Sequence, residues 1–424
     1  MNSKLIVVSV FSLLASSAAL ATPFNGYIVK VKRGSHFLSS KAINQYGQVT
    51  KVATTSFGTF ARLETNSGLS DKAMQALADN PEIEYIEPNY IINLSSVKAN
   101  PVDAMINKQW GLINTGKNGG IFSSGVAGED INMARAWEIT KGSTAVKVAV
   151  IDTGVDFNHP DLKSQMDVNA LELNGKPGVD DDKNGYVDDI YGYDFANKDG
   201  DPSDGHGHGT HCAGVIGAEH NSAGIAGVMA NVKIVAIKFI SDKGSGETID
   251  AISSIDYAIK RKVQVMSNSW GGGEKEQSLM DAIIAAEAAG ITFVAAAGND
   301  SSNNDTRAAY PANYEVSNVI SVGSFTSQGA KSGFSNFGLK TVHVTAPGST
   351  ILSTYKGGYS NLSGTSMAAP HVSGIVGLML SKEPGLTPLE IRERLIKTST
   401  QTSKLKTASM SGGRVDAFRA LMNQ

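Results

Sequence analysis

Cysteine is nearly missing from this chain. Cys212 is the only one among 424 residues, so no internal disulfide can form. Stability then has to come from packing or from a bound metal. Net charge is also scarce. The 37 Lys and Arg against 40 Asp and Glu leave a formal −3, which gives no reason to expect nucleic acid or an anionic membrane as a partner. No His-Glu-x-x-His and no Cys-x-x-Cys pair supports a zinc site. Internal repeats are absent too. What remains, 41% hydrophobic and 18% charged residues, is ordinary globular composition, ample for a large core plus a smaller second domain.

The N-terminus reads MNSKLIVVSVFSLLASSAALATP. Lys4 gives a weak basic start, an apolar run follows, and Ala19-Leu20-Ala21 is a small-x-small cleavage site. Residues 1–21 are therefore expected to be a secretory signal, leaving a secreted chain, extracellular or periplasmic, with no membrane partner after removal. The alternative is an uncleaved anchor; serine and alanine dilute the second half of the run and favour cleavage.

Two zones follow. Residues 22–98 hold strand-like GYIVKV, FGTFARLE and IEYIEPNYII with helical SDKAMQALADNP, and predict a small α+β unit of four strands and two helices. SSVKAN at 95–100 reads as a linker. From 101 to 424, strand candidates that are apolar on both faces (147–152, 233–239, 263–270, 291–298, 318–324) alternate with helices at 248–262 and 277–290. The segment 366–384 is apolar nearly all round, as a helix in the middle of a protein is, and Thr387-Pro388-Leu389-Glu390 is a capping box opening a last helix. The fold class is α/β, a mostly parallel sheet flanked by helices.

In such sheets chemistry sits at the carboxyl ends of strands and at helix N-termini. Asp152 ends the strand VAVID, His208 opens a small-residue helix, and Ser366 opens the buried one. The stretch DGHGHGTHCAG is ambiguous alone. Its three histidines and one cysteine could be a metal cluster, a cysteine nucleophile with its base, or one working histidine among bystanders.

The blocks AVIDTGVDFNHPDL, HGHGTHCAG and LSGTSMAAPHVSG, in that order, resemble the subtilase family of serine peptidases. Ala295-Ala296-Ala297-Gly298-Asn299 matches a fourth block, the one that carries the family's oxyanion asparagine. The resemblance implies that Ser366 is the nucleophile, His208 its base, Asp152 the residue that orients the imidazole, and Asn299 an oxyanion donor. It implies that His206 and His211 are bystanders. Cys212 resembles the cysteine that some subtilases pack behind the histidine as a small hydrophobe.

Further features come with the resemblance. Ser269-Trp270-Gly271-Gly272 matches one substrate-binding strand of the family and Gly244-Ser245-Gly246 the facing one; merely turns is the alternative. Pairing through the main chain implies broad specificity. Ala309 aligns with the pocket floor, often glycine, where a methyl would disfavour large aromatic residues at P1. Residues 22–98 resemble the family's inhibitor-type propeptide, a ferredoxin-like unit expected to act as an intramolecular inhibitor whose tail IEPNYIINLSS occupies the cleft.

Structural calcium is expected at two places. Residues 156–204 hold 13 Asp and Glu against 4 Lys, a local −9 that needs counter-charge. Within them Asp180-x-Asp182-x-Asn184-Gly185-Tyr186 copies the first half of an oxygen-ligand calcium loop, and Asp188 or Asp189 could supply the missing carboxylate. A solvated acidic loop is the alternative. By resemblance, Asp161 and Asn221 match ligands of a subtilase calcium site, with carbonyls from Glu219, Ala223 and Ile225, completed by Asp103 or Gln109.

The expected protein is a secreted, monomeric, broad-specificity serine endopeptidase made as a zymogen and acting on proteins and peptides. A narrow-specificity processing protease and a catalytically silent binding or chaperone relative are the competing readings.

Overall fold

The computed structural model describes residues 24–32, 34–55, 58–65, 68–90, 103–118, 125–272 and 274–424. The expected signal at 1–21, the linker at 95–100 and residues 91–96 of the expected inhibitory tail lie outside them. The chain divides into two compact units, Met1–Ser96 and Val97–Gln424.

Alternation decides which face of the first strand is covered. In β1 (Phe24–Val31), Tyr27, Val29 and Val31 are buried while Ile28 and Lys30 are half-exposed. With β2 (Gln48–Thr55), β3 (Gly58–Glu64) and β4 (Ile83–Tyr90) it forms an antiparallel sheet of order β2-β3-β1-β4, whose core gathers Phe37, Ile43, Leu63 and Leu77. Among the described residues of this unit there is one α-helix, α1 (Asp71–Ala78), capped by the Ser70 hydroxyl. The second expected helix is replaced by two three-residue 3-10 turns, Phe37–Ser39 and Ile43–Gln45. The hydroxyls of Ser35, Ser39 and Ser40 bond the local backbone there and compete with a helix.

The larger unit runs through α2 (Met133–Ile139), β5 (Gly142–Asp152), α3 (Ala170–Leu173), β6 (Gly192–Asp194), α4 (His208–Gly217), β7 (Asn231–Lys238), α5 (Thr248–Lys260), β8 (Val265–Asn268), α6 (Gln277–Ala288) and β9 (Thr292–Ala296). It continues with β10 (Val319–Phe325), β11 (Val344–Pro347), the hairpin β12 (Ile351–Tyr355) and β13 (Gly358–Leu362), α7 (Thr365–Lys382), α8 (Pro388–Thr398), β14 (Thr400–Gln401), β15 (Gly413–Arg414) and α9 (Ala417–Met422). Among the described residues the main sheet has nine strands in the order β14-β15-β11-β10-β9-β8-β5-β7-β6, parallel except for β14 against β15. The α/β class expected from the sequence is what the chain forms.

Successive residues of β5 feed different cores. Val148 and Val150 join the cluster under α4 and α7, whereas Ala149 and Ile151 join the one under α5 and α6. Each fully buried valine or isoleucine among them contributes roughly 1.5–3 kcal/mol. This is why the strands read as unbroken apolar runs. Helix α7 is buried from Thr365 to Leu380 except at Ser366. Strand order reverses beside β5, which pairs with β7 on one side and β8 on the other. That reversal opens a crevice at the carboxyl ends of the strands. No described helix is long and apolar enough to cross a membrane.

Candidate active site

Asp152 is the last residue of β5 and is fully buried. Its Oδ1 accepts from the Thr153 backbone at 2.7 Å and lies 2.7 Å from His208 Nδ1. A carboxylate can only accept, so Nδ1 carries the proton and Nε2 is left free to accept one. His208 is the first residue of α4, after Gly207 in a left-handed conformation (φ +102°) where a Cβ would run into the Tyr355 ring. Asp204 fixes the approach. It accepts from the backbones of His206, Gly207 and Thr210 and from the Thr153 and Thr210 hydroxyls. Burial alone would pull the His208 imidazole down. The charge and hydrogen bond of Asp152, with the charge of Asp204, outweigh that and hold it above the usual histidine value.

Ser366 is the second residue of α7, and Pro370 lies four positions on. Proline has no N–H, so the Ser366 carbonyl loses its helical partner. It accepts instead from Ser269 Oγ at 2.8 Å and from Cys212 Sγ at 3.4 Å. The Ser366 hydroxyl in turn donates to the Ser269 carbonyl at 3.0 Å. Asn299 follows β9, and its Oδ1 accepts from the Thr365 backbone at 2.8 Å and from the Thr365 hydroxyl at 3.0 Å. Both Oδ1 bonds leave the amide nitrogen facing the helix start. Ser366, His208 and Asn299 line one cleft of about 1180 Å³.

The other members of the His-rich stretch are separated by their surroundings. His211 is fully buried, with Nε2 2.9 Å from the Ile351 carbonyl, and burial pulls it down to about 4. His206 sits on the cleft wall with its ring 6.3 Å from that of His208. Burial pushes the Cys212 thiol well up, which keeps it protonated.

Both segments expected to bind substrate face this cleft, as does Ala309. Neither is paired as a strand. Ser269, Trp270, Gly271 and Gly272 run on from β8, with the Gly272 N–H bonded to the Tyr310 carbonyl. Gly244, Ser245 and Gly246 form a turn closed by Ser241. Trp270 packs on Phe239 with ring centroids 4.9 Å apart.

Of the two proposed calcium places, one gathers Asp103, Asp161 and Asn221. Asp103 Oδ1 accepts from the Asn221 and Ser222 backbones, and Asp161 accepts from Asn221 Nδ2, the Ile225 backbone and the Tyr359 hydroxyl. The Asn221 Oδ1 accepts from the Ala223 backbone, and the Glu219 backbone donates to the Asp161 carbonyl. Burial and the neighbouring Asp161 charge raise Asp103, whose Oδ2 is buried without a partner. Gln109 is spent elsewhere, bonding both backbone groups of Ala226. Two buried carboxylates with no basic partner among the described residues suit a hard cation.

At the acidic loop, carboxylate oxygens of Asp180, Asp182 and Glu172 lie within 4.8 Å of one another. Asn184 donates to Asp180 and Asp182, and Tyr186 packs its ring against Tyr193 and Tyr257. Asp188 and Asp189, expected to supply the missing carboxylate, both meet this group: Asp189 accepts from Asn184 Nδ2 at 3.0 Å, and the Asp188 backbone donates to Glu172 at 3.0 Å. Asp189 is fully buried and also accepts from Asn169 and the Tyr257 hydroxyl and pairs with Arg261, as a charge that deep needs a countercharge. Asp188 accepts from the Gly178 backbone. Glu172 was missed; the signal for it is a lone acid in LEL, between two leucines, on a helix fragment just before the loop.

Residues 143–413 match the subtilase family. Thermitase of Thermoactinomyces vulgaris is 39% identical over 303 residues, 71% of this chain and 97% of its own. A thermophilic serine proteinase of Bacillus sp. strain AK1 is 36% identical over 357 residues, 84% of this chain and 76% of its own. Among solved structures, a cold-adapted subtilisin-like serine proteinase is similar with a TM-score of 0.54 at 32% identity, over 72% of this chain and 96% of its own. Another, from Pseudoalteromonas arctica, has a TM-score of 0.61 at 29% identity, over 76% and 98%.

Proposed function

This chain belongs to the subtilase family and is a serine endopeptidase, and on that premise we propose that Asp152, His208 and Ser366 are its catalytic triad. The observation that carries the reading is the 2.7 Å contact of His208 Nδ1 with Asp152, which leaves Nε2 unprotonated on a residue that lines the same cleft as Ser366 and Asn299.

The chemistry is acyl transfer. Rotation about its Cα–Cβ bond takes the Ser366 hydroxyl from the Ser269 carbonyl to His208 Nε2, which removes its proton as Oγ attacks the peptide carbonyl. Asp152 stabilises the imidazolium so formed. Asn299 Nδ2 and the Ser366 backbone N–H receive the oxyanion, and the start of α7 adds a favourable dipole. His208 then gives its proton to the leaving amine, and a water repeats the steps on the acyl-enzyme.

An extended peptide lies between 244–246 and 269–272, held through its backbone, so specificity is broad. The Ala309 methyl shortens the pocket and lowers kcat/KM for phenylalanine relative to alanine at P1. Subtilases as a family bind structural calcium. Here Asp103, Asp161, Asn221 and the carbonyls of Glu219, Ala223 and Ile225 would hold one ion. Glu172, Asp180, Asp182, Asn184 and Tyr186 would hold another. Each ion would supply the countercharge these carboxylates lack. The unit before residue 97 serves as inhibitor until cleaved, and the protein is exported as a zymogen and acts as a monomer.

Casein hydrolysis by the expressed chain, beside Ser366→Ala, tests the reading. Activity is expected only with Ser366 present. Equal activity in Ser366→Ala would overturn it.

A further inference from the structure

Asn336 is neither a member of the triad nor part of a substrate segment. It lies in the loop between β10 and β11, is 2% exposed, and borders the cleft beside Asn299. Its Oδ1 accepts from the Asp300 backbone at 2.9 Å and from the Ser302 backbone at 2.9 Å. Its Nδ2 donates to the Ala297 carbonyl at 3.1 Å, and its own backbone N–H donates to the Gly298 carbonyl at 2.9 Å. One residue therefore grips the main chain on both sides of Asn299. Gly298 takes φ +107°, and a Cβ there would collide with Asn336 Nδ2, so the two residues fit only as a pair.

An oxyanion donor works by being in place before charge develops, and a small displacement forfeits much of its effect. Thr365 fixes which way the Asn299 amide faces. Where that amide sits depends on the backbone of 297–302. The other ties of that stretch are Asn304 and the Val322 carbonyl on Ala297, Thr365 on Gly298, the Phe334 and Gly333 carbonyls on Ser301, and the Phe337 N–H on the Ser302 carbonyl. None of these holds the N–H groups of Asp300 and Ser302.

We propose that Asn336 is a positioning residue for the oxyanion donor Asn299, acting through the backbone of residues 297–302 without touching substrate. The proposal rests on the assignment of Asn299 above. The amide is suited to the task because it offers an acceptor to two N–H groups and a donor to one carbonyl at once. A serine is too short to reach all three. An aspartate keeps the two acceptor bonds and sets a carboxylate oxygen against the Ala297 carbonyl.

The test compares Asn336→Ala, Asn336→Asp, Asn299→Ala and the double variant Asn299→Ala/Asn336→Ala in the full chain, using a chromogenic peptide amide. Folding is followed by circular dichroism and Tm. Asn336→Ala and Asn336→Asp are expected to lower kcat at least tenfold with KM changed less than twofold. In the Asn299→Ala background the further loss from Asn336→Ala should be under twofold, because the donor it aligns is already gone. An unchanged kcat in folded Asn336→Ala, or the same loss in both backgrounds, overturns the proposal. Failure of both Asn336 variants to fold also overturns it, since the residue is then needed for the fold alone. Should Asn299→Ala by itself leave kcat intact, the fault lies in the assignment of Asn299 and not in the coupling of the two asparagines.

Discussion

Ser366 and Ser269 hold each other by two reciprocal hydrogen bonds, each hydroxyl donating to the other's carbonyl, at 3.0 and 2.8 Å. The pair exists because Pro370 releases the Ser366 carbonyl from its helix. Ser269→Ala removes one bond and leaves the carbonyl with Cys212 alone. A stability loss of about 1 kcal/mol is expected, with kcat reduced less than tenfold. Urea unfolding and peptide hydrolysis measure both; a stability unchanged within error contradicts the pairing.

The acid limb of activity should report His208. Catalysis needs the neutral imidazole, and Asp152 with Asp204 hold that imidazole above the usual value of 6.5 against the pull of burial. Activity therefore rises with pH through a midpoint above 6.5. Asp152→Asn removes the charge, lowers that midpoint and cuts kcat by about 10⁴. A pH profile of kcat/KM decides, and a wild-type midpoint below 6.5 contradicts the electrostatic balance.

Acid should unfold the protein through its buried histidines. His211, His220, His343 and His371 are each pulled from 6.5 down to about 4 by burial. Between those values the unfolded chain binds protons that the folded chain refuses, so stability is full above 6.5 and falls as pH falls toward 4. Calorimetry across that window should show a falling Tm; a flat Tm contradicts the four neutral histidines.

Calcium removal should act on stability before chemistry. At an ion concentration a hundredfold above Kd, binding contributes about 2.7 kcal/mol per site, worth several degrees in Tm. EDTA should lower Tm, and Asp161→Asn or Glu172→Gln should each remove part of that response. A Tm indifferent to EDTA contradicts both ion sites.

The central sheet was legible because its strands are buried on both faces and read as continuous apolar runs, as in β5 and β9. β6 and β13 were not, because only Gly192 and Asp194 of β6 and no residue of β13 are buried, so neither reads as an apolar run. Asp152, His208 and Ser366 stood out because each lies at or next to the end of an element, and Asn299, three residues past β9, was marked by the family resemblance. Glu172 and Asn336 left no such mark. Their value lies in which backbone groups they meet across as many as 39 positions of sequence, a distance over which local pattern is silent.

Covalent labelling tests the central claim most directly. A phosphonofluoridate should form one adduct, located on Ser366 by peptide mass, and His208→Ala should abolish its formation. An adduct on another residue, or labelling at the same rate without His208, would contradict the account.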